Sequence, residues 1–173
     1  MIVKITGCIL IIGACSYMGF FLGKQYNARF EQIRKLRSSL KMLETEISYS
    51  MNPLPEALLK VGSRIPGPVG TLYKYTAELL EKNVGLPMDQ VWKAGLYKLS
   101  EESSLKKEEL DVLDDFGLGL GGSDKEEQLK NFHLIQEHLR IIELNAESDR
   151  NKYERMYKTL GVLTGAALAL VLI

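Results

Sequence analysis

Three glycines in the stretch FGLGLGGSDKEEQ, residues 116–128, raise the first chemical question. Gly117, Gly119 and Gly122 spell G-x-G-x-x-G, the spacing that lets a backbone loop approach a pyrophosphate. That chemistry needs a strand before the glycines and a helix after them, so that the phosphate meets a helix N-terminus. The preceding LKKEELDVLDDF reads as a helix instead. Positive potential is missing too: residues 101–127 carry ten acids and three bases. The K-[ST] pair that completes a P-loop is also absent. The loop is therefore expected to be a helix C-cap followed by a helix N-cap, with glycines supplying left-handed backbone. Ser123 and Glu126 give S-x-x-E, the capping-box pattern that starts a helix.

Other chemistry-bearing residues lead no further. His133 and His138 stand five apart with Glu137 before the second, one residue off the zinc-binding H-x-x-E-H spacing. Positions i and i+5 do not share a helix face, and no third ligand is evident. No serine, histidine and acid fall together in a way that suggests a nucleophile and its base. Trp92 lies among apolar positions and reads as core. The methionines are scattered and read as packing. Cys8 and Cys15 sit in one apolar stretch, which excludes a disulfide framework. Formal net charge is zero over 173 residues, and nothing suggests nucleic acid. No catalytic, cofactor or metal site is expected. The acids Asp111, Asp114, Asp115, Asp124, Glu126 and Glu127 form either a solvated face or a docking patch for a basic partner.

The elements that would carry these residues are all helical. Phe30, Ile33, Leu36, Leu40, Leu43 and Ile47 recur at three or four residues, which places them on one helix face. That helix should end near Met51-Asn52-Pro53. Pro53 and Pro55 open a short helix through PLPEALLKVGSRI, since proline is tolerated in a first turn. Pro66-Gly67-Pro68 breaks the chain before a helix to about Lys82 with Leu72, Tyr75, Leu79 and Leu80. Gly85 and Pro87 precede a helix with Val91, Trp92, Leu96 and Leu99. Ser104 is placed to cap a helix through Leu105, Leu110, Leu113 and Phe116. The last helix carries Leu129, Phe132, Ile135, Leu139, Ile142 and Ala146, and is expected to run on into the C-terminal segment. No strand is expected. The acidic patch should lie at the end of the bundle farthest from the chain termini.

Both ends of the chain are apolar. Residues 5–23 run 19 positions without a charge, and 159–173 run 15 more. About 20 apolar residues span a bilayer as a helix. The first segment meets that length. The second is short and would thin the bilayer or lean on its neighbour. A cleaved signal peptide or a lipoprotein signal at Ile12-Gly13-Ala14-Cys15 is the rival reading. The apolar run continuing past Cys15 favours an uncleaved helix. Between Lys24 and Lys41 six basic residues face one acid. Lys24, Arg29, Arg34, Lys35 and Arg37 at one end and Lys152, Arg155 and Lys158 at the other should flank the membrane on its cytoplasmic side. The expected organisation is a transmembrane helix at 1–23, a cytoplasmic helical domain at 24–158 and a transmembrane helix at 159–173.

Four marks together resemble the stage III sporulation protein AB family of endospore-forming Firmicutes. They are the N-terminal apolar helix, QIRKLRSSLKMLETEISYSMNPLPEAL (32–58), FGLGLGGSDKEEQ (116–128) and KTLGVLTGAALALVLI (158–173). The third mark follows F-G-x-x-L-G-x-x-D-x-x-x-Q through Phe116, Gly117, Leu120, Gly121, Asp124 and Gln128, which with Ser123 are expected to build the turn. Gly119 and Gly122 fall on its variable positions. The resemblance implies an all-α, six-helix cytoplasmic bundle like the F domain of type II secretion and type IV pilus platforms. It implies a non-catalytic platform in the mother-cell membrane around the forespore. Its partners would be the other stage III channel proteins, among them the AA ATPase, and a second copy of the chain, since Gly161, Gly165, Ala166 and Ala169 permit close helix packing. A membrane-anchored signalling or scaffold protein without an ATPase is the alternative.

Overall fold

The computed structural model describes the backbone of residues 2–48, 50, 52–82, 85–120 and 125–172, and their side chains except at 2–6, 8, 9, 11, 12, 16, 125, 158, 162, 166 and 169–172. The regular structure among them is all helical: α1 (Ile2–Ser48), α2 (Leu54–Arg64), α3 (Pro68–Lys82), α4 (Met88–Glu102), α5 (Lys107–Leu118), α6 (Lys125–Asp149), a π-helical turn (Arg150–Glu154) and α7 (Arg155–Leu172). No strand occurs among them. The chain divides into two compact units, Glu31–Leu144 and the pairing of Met1–Phe30 with Asn145–Ile173.

In the larger unit the breaks fall where proline and glycine dictate. Pro53 precedes α2 and accepts its first backbone bond, from Ala57 N–H at 3.0 Å. Gly67 takes φ +86° and Gly85 φ +117°, the left-handed region open to glycine, and Pro68 and Pro87 follow within two residues. Ile33, Leu36, Leu40 and Leu43 are fully buried, as are Leu58, Leu72, Trp92, Leu113 and Leu139. Each such side chain contributes about 1.5–3 kcal/mol by leaving water. Along α2 to α5 each helix packs on the next. A glycine sits at each of these three contacts: Gly62 near Gly70, Gly95 near Leu72 and Thr76, and Gly117 near Trp92.

Several expected placements change. The buried tyrosine of α3 is Tyr73, not Tyr75, and Thr76 and Ala77 complete its inner face while Leu79 and Leu80 are half-buried. Helix α5 starts at Lys107, so Ser104 does not cap it. Instead the Glu109 carboxylate, fully buried, accepts the Lys106 backbone N–H. The C-terminal helix does not run on as one α-helix: the π-helical turn at Arg150–Glu154 interrupts it. Capping by Ser123 and the placement of Gly121 and Asp124 lie outside the described residues.

Glu46 ties α1 to α2. Its carboxylate accepts from Asn52 Nδ2 at 2.7 Å and Lys60 Nζ at 3.3 Å, with Arg64 Nη1 at 3.8 Å. Burial pushes its carboxyl up, but the Lys60 and Asn52 hydrogen bonds and the Lys60 and Arg64 charges outweigh this and hold it below its ordinary 4.5. A lowered folded-state value means stability that is present above 4.5 and lost as pH falls through the folded value. Glu46→Gln is therefore expected to destabilise at neutral pH and to lose that effect in acid. Urea melts of both proteins across pH check this; a gap that widens in acid would contradict it.

In the smaller unit, α1 and α7 approach backbone to backbone. A Cβ built on Gly161 would lie 2.8 Å from the Cys15 carbonyl oxygen and 3.1 Å from Gly19 Cα. Tyr26 stacks on Tyr153 at 5.2 Å and Tyr157 at 5.9 Å. Buried Arg29 pairs with Asp149 at 3.3 Å, and the Arg150 guanidinium lies 4.1 Å over the Phe30 ring. Many large apolar residues of this unit face outward: Leu10, Tyr17, Met18, Phe20, Phe21, Leu160, Leu163 and Leu168 are all exposed. Among the described residues no helix is long and apolar enough to cross a membrane. Many of the side chains behind the two expected membrane spans lie outside the described residues.

Candidate functional site

Within the glycine stretch, Gly117 serves packing. Trp92 is fully buried, and its Nε1 donates to the Leu113 carbonyl at 2.8 Å. A Cβ on Gly117 would fall 2.8 Å from Trp92 Cγ, so α5 can lie against the indole only with glycine there. Phe116 meets Trp92 edge-on at 5.9 Å and Phe132 at 5.1 Å, while Tyr73 meets Trp92 at 6.0 Å. Tyr73 completes the line to α1 through a 2.9 Å hydrogen bond with Ser39, whose own hydroxyl donates to the Leu36 carbonyl. Burial pushes the Tyr73 phenol above its ordinary value, and the Ser39 bond only partly opposes this. One line of side chains thus joins α1, α3, α4, α5 and α6.

The end of α5 also differs from expectation. Gly119 has φ −89° and ψ −3°, ordinary right-handed backbone, not the left-handed cap. The turn closes through Gly119 N–H to the Phe116 carbonyl and Leu120 N–H to the Gly117 carbonyl, both at 3.2 Å. Leu120 is buried and Gln128 half-buried. A Cβ on Gly119 would meet only the far end of the Asn131 side chain, which can swing aside.

The described acids have different neighbours. Asp111 and Asp115 are exposed one turn apart on the outer side of α5. Asp114 turns toward α4, with Oδ2 3.8 Å from Lys93 Nζ, and lines a groove with Tyr97, Ser100 and Asp111. Asp115 lines a separate cleft between α5 and α6, with Phe116, Asn131, Leu134 and His138. Glu126 pairs with Lys130 at 3.6 Å, Glu127 is exposed, and Asp124 lies outside the described residues. His133 and His138 are both exposed on α6. Among the described residues no three His, Cys, Asp or Glu side chains could jointly hold a metal ion.

Several of the basic residues work as internal ties. Arg34 Nε lies 3.8 Å from Glu143 Oε1, and Arg37 Nη1 donates to Glu143 Oε2, joining α1 to α6. Gln136 Nε2 adds a bond to the Arg37 carbonyl at 2.9 Å, and Lys35 Nζ donates to the Pro66 carbonyl at 3.3 Å. Arg29 is committed to Asp149. Lys24, Lys152 and Arg155 are exposed, and the Lys158 side chain lies outside the described residues. Glu46 and Glu143, which receive these cations, had no distinguishing sequence signal. Their partners stand 14 and 106 residues away or more in several cases.

Comparison with known proteins agrees with this architecture. The family model described as stage III sporulation protein AB matches residues 4–173. The stage III sporulation protein AB of Bacillus subtilis (strain 168) is 37% identical over 169 residues, covering 98% of each chain. A solved structure of a stage III sporulation protein AB superposes with a TM-score of 0.68 at 35% identity, covering 72% of this chain and 98% of that one. By sequence, by near-complete coverage and by its helical fold, the chain belongs to the stage III sporulation protein AB family.

Proposed function

We propose that this sporulation-family chain is a non-catalytic membrane platform in the channel complex between mother cell and forespore. In this reading 1–23 and 159–173 anchor it in the mother-cell membrane around the forespore. The helical domain between them faces the mother-cell cytoplasm and couples the AA ATPase to the other stage III channel proteins. The observation that carries the reading is the outward face of the smaller unit. Leu10, Tyr17, Met18, Phe20 and Phe21 on α1 and Leu160, Leu163 and Leu168 on α7 are exposed, an apolar surface that water disfavours and lipid accepts. The uncharged run of 19 residues at 5–23 has the length of a span. The exposed acids Asp111 and Asp115 supply a polar docking face on the other unit.

The test is extraction and protection of the full-length chain in sporulating cells. The chain is expected to stay in the membrane through alkaline carbonate and to leave it only in detergent. Protease added from outside the mother cell should spare Glu31–Leu144. Release by carbonate alone, or cleavage within that unit in intact cells, would contradict the proposed anchoring.

A further inference from the structure

An open cavity of about 490 Å³ lies along the π-helical turn and the start of α7, lined by Arg150, Asn151, Glu154, Arg155 and Thr159. That volume is within the usual range for small-molecule sites. π-Turns inside helices are uncommon and recur at functional sites. Two guanidinium groups and one carboxylate line it. Arg150 is held in place: its guanidinium covers the Phe30 ring at 4.1 Å, and Nη2 lies 3.3 Å from Asn151 Oδ1 and 3.8 Å from Glu147 Oε1. That bond leaves the Asn151 amide hydrogens pointing elsewhere. The Thr159 hydroxyl already donates to the Arg155 carbonyl at 3.0 Å. Arg155 is exposed, and among the described residues its guanidinium has no carboxylate partner. Beside Arg155 and Thr159, one helix position round, Met156, Leu160 and Leu163 form an exposed apolar stripe. The site therefore joins fixed donors for an anion to an apolar track leading away from them.

We propose that this cavity binds the phosphodiester of an anionic phospholipid, with Arg150, Asn151 and Arg155 donating to the phosphate and the acyl chains lying along Met156, Leu160 and Leu163. The inference rests on the membrane reading above. Glu154 in the lining and Glu147 beside Arg150 oppose a doubly charged free phosphate more strongly than a singly charged diester. Guanidinium groups suit phosphate oxygens through paired N–H donors. Stacked Tyr26, Tyr153 and Tyr157 stand where interfacial aromatics mark the headgroup level.

The test is native mass spectrometry of the full-length chain in detergent, with equal phosphatidylglycerol and phosphatidylcholine. Wild type should retain phosphatidylglycerol preferentially. Arg150→Gln with Arg155→Gln should cut that preference by up to about thirtyfold, the loss of two basic contacts of membrane-surface strength. Arg155→Gln alone should cut it by about fivefold, and Arg155→Lys should restore part of it. Removal of two charges in the larger unit, Lys82→Gln with Lys93→Gln, should change it less than about twofold. Equal losses from both pairs, no preference in wild type, or displacement of the lipid by millimolar inorganic phosphate would each overturn the site. Failure of the membrane reading has a separate signature: carbonate would release the chain whatever lipid it retains.

Discussion

Trp92→Ala is expected to lower the unfolding free energy by about 3–5 kcal/mol, the cost of emptying a large aromatic site in a packed core. Trp92 is fully buried, meets Phe116 edge-on and Tyr73 at a tilt, and is seated against Gly117. Its removal leaves a hole bordered by three helices and strips the Nε1 donor from the Leu113 carbonyl. Folded domains hold only about 5–15 kcal/mol in total, so the larger unit should lose much of its margin. Trp92→Phe keeps most of the volume and loses the donor, and should cost about 1–2 kcal/mol. Urea titration followed by helix circular dichroism measures both. A loss below about 1 kcal/mol for Trp92→Ala would mean that the aromatic line is not the centre of this core.

Gly19→Leu and Gly161→Leu are expected to part α1 from α7 in the smaller unit. A Cβ at Gly161 would lie 2.8 Å from the Cys15 carbonyl oxygen, and backbone on that side has no rotamer with which to yield. Overpacking of this kind costs about 1–3 kcal/mol per site. The pair of substitutions should therefore also dissolve the Tyr26–Tyr153–Tyr157 stack, which depends on the same two helices staying close. Thermal denaturation in detergent and the near-ultraviolet tyrosine signal report the two effects. Leucine at these sites with stack and stability unchanged would contradict the backbone contact.

Much of this fold could be read from periodicity and breakers. Ile33, Leu36, Leu40 and Leu43 recur at helical spacing and are buried, and the Pro-Gly breaks at 66–68 and 85–87 fall where the helices end. Choices between neighbouring positions were not legible. Tyr73 and Tyr75 are equally good helix residues by type, and only the course of α4 decides which one turns inward. The capping of α5 was misassigned because Ser104 has the better capping side chain, whereas Glu109 acts from within the helix and is buried there. The glycine stretch was read as a helix C-cap followed by an N-cap. Its glycines were expected to supply left-handed backbone, while Gly117 and Gly119 are right-handed and Gly117 makes room for Trp92. Packing partners at that distance leave no trace in local spacing. The π-helical turn is likewise invisible in a stretch where Arg150, Lys152 and Glu154 favour ordinary helix.

The central claim is that the chain couples an ATPase to a membrane complex. Its most direct test is co-purification of the full-length chain, in detergent, with the family's AA ATPase. Wild type would be run beside a variant carrying Asp111→Lys and Asp115→Lys, both on the exposed side of α5. The account predicts that wild type retains the ATPase and that the double reversal loses it. Absence of the ATPase from the wild-type complex would contradict the coupling role and favour a scaffold that works through the membrane alone.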